Sequence, residues 1–439
     1  MPKKGGGLEF IGAFECSFMP KHDVDIIETS QHDIRRNSDL ALLAACGVRR
    51  VRYPVRWHRI EQVQGQYDWT ETDEVLGYLH DQGFSPIVDM LHHTAYPIWL
   101  TGFDDPRFGD AYLKFCEAFA RRYPGTNEYT LFNEPFTTMF LCGHEGIWPP
   151  YGRGMESFVA LSNNVLPAFF EATRMYKDLL PNALHVYVEP CEGHAASITE
   201  GNVWSKLAND RRFFIIDRLL GRDIDPGAPF VAEVAGTRGG DRLLELKAGN
   251  LDILGLDYYA HMEWYHADDG VGQCPSKAPL GLAALIMQYS ERYSNVPLIL
   301  GETNIRGYAS DRASWLKYTL EQCELAQSAG ANLIGYCWYP FIDSLDWDSL
   351  LANADRHIDP VGVYWLDEKL DRHASVMSDA YKLAASGAPS SALPAYTFQP
   401  PLDVWLAGLL PQMENWDWQD PPGMEPEMDP AVPTKAGVA

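Results

Sequence analysis

The chain has 439 residues, 46% of them apolar, and a formal net charge of −25. That size and apolar share suffice for one large core, and a barrel with insertions reaches this length as a single domain. So acidic a balance excludes a nucleic-acid partner, whose phosphates need a basic face. The start, Met1-Pro2-Lys3-Lys4 and a run of glycines, holds no apolar signal core, and no apolar run approaches the ~18 residues of a membrane span. The eight cysteines include no Cys-x-x-Cys pair and several lie in apolar contexts. They are expected to be small core residues in a reducing cytoplasm.

In chain order, apolar runs that read as buried parallel strands are Leu8–Phe14, Val48–Pro54, Ser85–Leu91, Glu128–Phe132, Leu184–Glu189, Leu251–Tyr258, Pro297–Leu300 and Asn332–Trp338. Between them lie helical periodicities with a charged face, at Asp33–Cys46, Thr70–Gln82, Arg107–Tyr123, Met155–Leu180 and Asp311–Ser328. Gly47, Gly83 and Gly330 stand just past three of these, as helix C-terminal glycines do. Eightfold strand–helix alternation predicts an α/β fold, a single (β/α)8 TIM barrel over residues 8–385, after a flexible segment 1–7. Three segments that follow strand ends are longer than the repeat needs, the Gly- and Pro-rich Met139–Gly154, the mixed Glu192–Asp225 and the loop-like His261–Ala278, and are expected to lie over the barrel mouth and shape a pocket.

From residue 386 to 439 the chain reads as a Pro-rich acidic tail, partly packed or disordered. Gln412–Pro430 alone holds six acidic residues and four prolines. Trp405, Leu409, Trp416 and Trp418 suggest that part of it packs on the barrel or on another subunit of a homo-oligomer.

Two of the strand runs end abruptly on carboxylates: Glu134 in Tyr129-Thr130-Leu131-Phe132-Asn133-Glu134-Pro135, and Glu302 in Leu298-Ile299-Leu300-Gly301-Glu302-Thr303-Asn304. A Glu at the C-terminal tip of a barrel strand points into the mouth where such barrels keep their chemistry. Two facing carboxyls, one an acid/base and one a nucleophile, are what retaining cleavage of a glycosidic bond requires. Thirteen Trp and twenty-two Tyr supply rings that can stack on sugars, although most are expected in the core.

These segments resemble family 1 of the glycoside hydrolases, the β-glucosidase and 6-phospho-β-glycosidase family, a retaining (β/α)8 group. The resemblance runs from about Gly12 to Tyr381. Phe132-Asn133-Glu134-Pro135 is similar to F-N-E-P, which implies Glu134 as acid/base and Asn133 on the sugar 2-hydroxyl. Gly301-Glu302-Thr303-Asn304 resembles T-E-N-G, which implies Glu302 as nucleophile. Val51 to Ile60 resembles Y-R-F-S-I-S-W-S-R-I, with Arg52 supporting the nucleophile. His92-His93-Thr94-Ala95-Tyr96-Pro97 resembles Y-H-W-D-L-P, with His93 on the sugar. Asp257-Tyr258-Tyr259 resembles N-Y-Y, with Tyr259 near the nucleophile. Gly335-Tyr336-Cys337-Trp338 through Asp346-Trp347 resembles the strand-eight segment ending in F-E-W, which brings Trp338, Asp346 and Trp347 to the substrate.

The same segments depart from the family around the sugar. Met19 stands at a strand-one Gln, Asp346 at a Glu, Thr94 at a Trp and Asp257 at an Asn. The expectation is a retaining β-glycosidase of atypical sugar specificity acting on a carbohydrate, with Glu15 a candidate replacement contact or else bonded to backbone. Two alternatives are a transglycosylating or biosynthetic relative and a non-catalytic sugar-binding barrel. A metal-dependent hydrolase using His92, His93, His144, Asp89 or Glu145 is disfavoured, because adjacent strand histidines point to opposite sides. No cofactor and no metal are expected. Glu189, Glu192 and His194 are further mouth residues, read mainly as rim salt bridges.

Overall fold

The computed structural model describes residues 7–196, 203–266, 273–275 and 279–397. Eight parallel strands close into a barrel. They are β1 (Glu9–Ala13), β2 (Arg50–Pro54), β3 (Ser85–Asp89), β4 (Glu128–Thr130), β5 (Leu184–Pro190), β6 (Ile253–Asp257), β7 (Leu298–Glu302) and β8 (Leu333–Cys337). Each pairs with its sequence neighbours, and β1 closes the ring on β8 with Glu9 opposite Gly335. All eight apolar runs therefore form strands. β3 and β4 end two residues earlier than the runs, because there the chain leaves the ladder for the rim. One isolated bridge, His92 to Asn133, continues the pairing beyond them.

Side-chain alternation sorts the strand residues into two cores. Ile11, Ala13, Ile87, Val186, Val188, Ile253, Ile299, Cys337 and Tyr339 fill the barrel interior. The residues between them, such as Val51, Val88, Leu254 and Leu300, face the surrounding helices. α1 (His32–Ala45), α2 (Thr70–Asp81) and α3 (Phe108–Arg122) each lie within a residue of the predicted span. On α3, Phe108, Ala111, Tyr112, Phe115, Cys116 and Phe119 recur at three- and four-residue steps, so one stripe packs on the barrel. Trp57 stacks on Phe115 there, at 5.0 Å.

The three long rim segments carry more regular structure than a loop reading allows. Met139–Gly154 begins inside a helix, α4 (Pro135–Gly143), and runs into α5 (Gly154–Leu179). Strands Gly193–Ala196, Glu263–His266 and Gln273–Pro275 form a separate small sheet over the mouth. Its first strand, Gly-His-Ala-Ala, has no apolar alternation and forms by pairing with a partner some seventy positions away, which no local pattern encodes. The first residues of the expected tail are packed on the barrel. Residues 386–397 are pinned to α6 (Ala309–Ser328): Ser390 N–H donates to Glu324 at 2.8 Å and Lys317 Nζ donates to the Leu393 carbonyl at 2.7 Å. Residues 398–439, with Trp405, Leu409, Trp416 and Trp418, lie outside the described residues. Among the described residues no helix is long and apolar enough to cross a membrane. Seven cysteines are buried free thiols.

Candidate active site

Glu134 and Glu302 meet across the C-terminal mouth. Glu302 is the last residue of β7, where its carbonyl accepts the Tyr258 N–H at 2.9 Å. Glu134 follows β4 with φ +44°, a left-handed conformation that a non-glycine residue adopts at a cost of about 1–3 kcal/mol. What holds it there is the start of α4. The Phe136 and Thr137 N–H groups both donate to Glu189 at 2.9 Å, and Tyr187 donates to the same carboxylate at 2.7 Å. Glu189 is thus a buried cap on the helix that begins beside Glu134, not a rim salt bridge. Burial lifts its carboxyl to about 7. Its backbone donors lie some fifty positions away, so no local pattern marks this role.

Around the two glutamates runs a hydrogen-bond network centred on Arg52. Arg52 Nη1 donates to Glu302 Oε1 at 2.6 Å, while Nη2 donates to Asn133 Oδ1 at 2.5 Å and to Asp89 at 3.3 Å. The Tyr259 hydroxyl donates to Glu302 Oε2 at 2.6 Å. Glu302 therefore receives a cationic donor on one oxygen and a phenol on the other, both suited to a carboxylate. One oxygen each of Glu134, Asp257 and Glu302 lie within 4.8 Å of one another. Burial, then the charges of Glu302, Asp257 and Glu189, hold the Glu134 carboxyl well above the usual range. Asp257 is raised for the same reasons, burial first and then Glu302. It marks the tip of β6 and stands where the resembled segment has Asn.

His93 reaches the same centre. Its Nδ1 lies 2.8 Å from the Thr138 hydroxyl and its Nε2 3.8 Å from Glu134 Oε2, with the ring packed on Trp148. Burial, then the charges of His92 and Arg52, keep it well below the ordinary imidazole range, so it is neutral. Its neighbour His92 turns the other way, bonding Asp89 at 2.8 Å and the Tyr339 hydroxyl at 3.1 Å. Burial opposes its charge, but Cys16 and Asp89 outweigh that and hold it well above the usual value.

Four of the sugar-facing expectations come out differently. Trp338 is not in the site: its indole is fully buried in the outer core and donates to the Val361 carbonyl at 2.8 Å. Strand parity puts Cys337 inward, Trp338 outward and Tyr339 inward. Tyr339 is the residue that enters, its ring 5.9 Å from His92 and 6.3 Å from Trp347. Glu15 turns back on its own loop, where Oε1 accepts the Cys16 and Ser17 N–H groups. Met19 packs with Ile26 and Leu351 and lines a small cavity with Thr94, Trp148 and Tyr151, whose lining does not include Glu134. Asp346 Oδ1 accepts the Asp355 and His357 N–H groups and so shapes the strand-eight loop. Its Oδ2 is buried and meets no partner among the described residues. Trp347 does reach the mouth, its ring edge-on to Tyr259 at 5.3 Å.

Two groups bring three potential metal donors within 4.8 Å: Cys16 with Asp89 and His92, and the three carboxylates. In the first, one Asp89 oxygen already serves both His92 and Arg52. In the second, the Arg52 guanidinium occupies Glu302 and would repel a dication at close range. His144 and Glu145 bond each other, apart from both groups. Glu192 pairs with His194 and Arg211, as a rim salt bridge would.

A closed eightfold barrel with a carboxylate trio at its C-terminal mouth, one member bonded to a buried arginine, suits an enzyme of the TIM-barrel class. Comparison with known proteins narrows it. The model of Glycosyl hydrolase family 1 matches residues 16–191. A thermostable β-glucosidase B from Thermobispora bispora is 26% identical over 356 residues, 72% of this chain and 73% of that protein. The aryl-phospho-β-D-glucosidase BglC of Bacillus subtilis (strain 168) is 22% identical over 388 residues, 72% of this chain and 78% of that protein. The structure of a β-glucosidase from Thermotoga maritima in complex with cyclophellitol superposes with a TM-score of 0.72 at 16% identity, covering 88% of this chain and 98% of that one. These likenesses support a glycoside hydrolase similar to family 1.

Proposed function

We propose that the protein hydrolyses a β-linked glycoside with retention of configuration, with Glu302 as nucleophile and Glu134 as acid/base. The observation that carries this is the approach of the two carboxyl groups, one oxygen of each lying within 4.8 Å of the other, which is compatible with the ~5–5.5 Å spacing of retaining enzymes. In the first step a Glu302 oxygen bonds the anomeric carbon, the glycosidic bond breaks, and the Glu134 proton goes to the leaving oxygen. In the second, Glu134 takes a proton from water, whose oxygen bonds the anomeric carbon and releases Glu302. Arg52 and Tyr259 hold Glu302 in line. Asn133, fixed by Arg52, is placed for the sugar 2-hydroxyl, and His93, Trp347 and Tyr339 wall the sugar site.

Proton NMR of the first-formed sugar tests this. The β-anomer is expected before mutarotation, and early α-product overturns the reading.

The sugar itself is proposed to be poor in outer hydroxyls. Met19 offers a thioether in an apolar cluster, Thr94 spends its hydroxyl on the Phe18 carbonyl, Glu15 serves its own backbone, and Asp346 has given one of its two oxygens to its own loop. A sugar hydroxyl desolvated there without a partner costs about 1–3 kcal/mol, up to about a hundredfold in rate. Aryl β-glucosides and β-galactosides are therefore expected to be poor substrates. A kcat/KM for aryl β-glucoside at or above about 10⁴ M⁻¹s⁻¹, typical of good enzymes, would show the shell is compensated.

A further inference from the structure

We infer that Asp257 holds the acidic proton of Glu134 in a hydrogen bond between the two carboxyl groups, and is the positioning residue that keeps Glu134 an acid. The inference deepens the two-glutamate reading and rests on it.

Asp257 is fully buried at the tip of β6. Among the described residues, neither of its carboxylate oxygens meets an N–H or O–H donor. A buried carboxylate with both oxygens unpaired is expensive, because it forfeits its hydration with nothing in exchange. The donors nearby are already used. Arg52 Nη1 is on Glu302, Nη2 is shared by Asn133 and Asp89, and the Tyr259 hydroxyl is on Glu302. Among the described residues only Arg52 Nε is left over, and it bonds neither Asp257 oxygen. A proton on the adjoining carboxyl of Glu134, within the same 4.8 Å cluster, would supply the hydrogen bond that Asp257 lacks.

The fold is shaped for that approach. A side chain at Gly301, between β6 and Glu302, would put its Cβ 2.4 Å from Asp257 Oδ1. Asp257 can stand beside the catalytic pair because residue 301 has no side chain.

The charges facing Asp257 set the sign. Glu134 lies beyond β4, Glu302 on β7, Glu189 and Cys191 at the end of β5, Cys337 on β8, Tyr259 on its own segment, and Arg52 on β2 is the cation. Carboxylates outnumber the positive charge, so one proton shared by Glu134 and Asp257 relieves repulsion that neither relieves alone. An ionised Asp257 both accepts from Glu134 and opposes its ionisation. Removing that charge must make Glu134 a stronger acid.

The test compares wild type, Asp257→Asn and Glu134→Gln, with carboxyl carbons of Asp and Glu labelled by ¹³C. Carboxyl NMR titration of the free protein needs no turnover, so it decides the shared proton even if the protein cleaves no glycoside. In wild type the Glu134 resonance, assigned by its loss in Glu134→Gln, is expected to stay protonated through neutral pH. In Asp257→Asn its titration is expected to fall by about one pH unit or more, tenfold in proton affinity. In Glu134→Gln the Asp257 titration is expected to fall likewise. The alkaline limb of kcat/KM for an aryl glycoside with a poor leaving group should move down with the Glu134 titration. A Glu134 titration that stays within about 0.3 pH unit in Asp257→Asn, or an unmoved Asp257 in Glu134→Gln, overturns the proposal.

Discussion

Replacing Glu302 with alanine is expected to lower turnover by about 10⁴-fold or more, a barrier increase on the order of 5 kcal/mol. The side chain is the nucleophile of the proposed first step, and its two oxygens are already oriented by Arg52 and Tyr259 at 2.6 Å. Water in its place lacks the carboxylate's charge and its fixed position, so both the covalent route and the proximity advantage are lost. The substitution also strips a partner from a buried guanidinium, which costs stability. Arg52 keeps Asn133 and Asp89, however, so the variant is expected to fold. Circular dichroism and the melting temperature would establish that before rates are compared, with Glu302→Gln as a second variant of nearly unchanged volume. Added azide should occupy the cavity left by alanine and attack the same face, giving a glycosyl azide of inverted configuration. A folded Glu302→Ala protein that keeps more than about a tenth of its activity would remove Glu302 from the mechanism.

Glu134→Ala is expected to divide substrates by leaving group. Where the departing alcohol is a poor leaving group, protonation is essential to bond breaking, and losing the acid should cost about 10²–10⁴-fold in kcat/KM. Where it departs as a stabilised phenolate, the first step needs little protonation and should be nearly untouched. The second step still lacks its base, so kcat should fall and the glycosyl-enzyme should accumulate as a burst. The same loss on both kinds of substrate would mean that Glu134 acts on binding or on structure. Its strained φ of +44° and the Glu189 cap on the following helix make the distinction necessary, since a side chain so placed could otherwise be mistaken for a purely structural one.

Much of this protein was legible along the chain, because its main signals are local. Each barrel strand is a short apolar run, most helices carry a three-to-four-residue stripe, and Glu302 ends its strand while Glu134 stands four residues past its own. Local patterns of this kind are read directly from side-chain order. Arg52, Asn133, His93 and Tyr259 are gathered by the structure with Glu134 and Glu302, as the family resemblance implied.

What the chain order could not decide is which way a side chain turns once the strand leaves the ladder, and what it bonds there. Trp338 looked like a sugar platform, but a one-residue change in parity exposes Tyr339 to the mouth in its place. Glu15 and Asp346 had the right chemistry for a sugar and found backbone N–H groups within their own loops first. Glu189 acquired its partners from a helix more than fifty positions earlier. Asp257 was visible as a changed residue, yet its meaning depends on three carboxylates from three strands converging on one arginine. Strand identity is set by neighbours in sequence. Hydrogen-bond partners and the charge around a buried group are set by neighbours in space, and only the closed barrel brings those together.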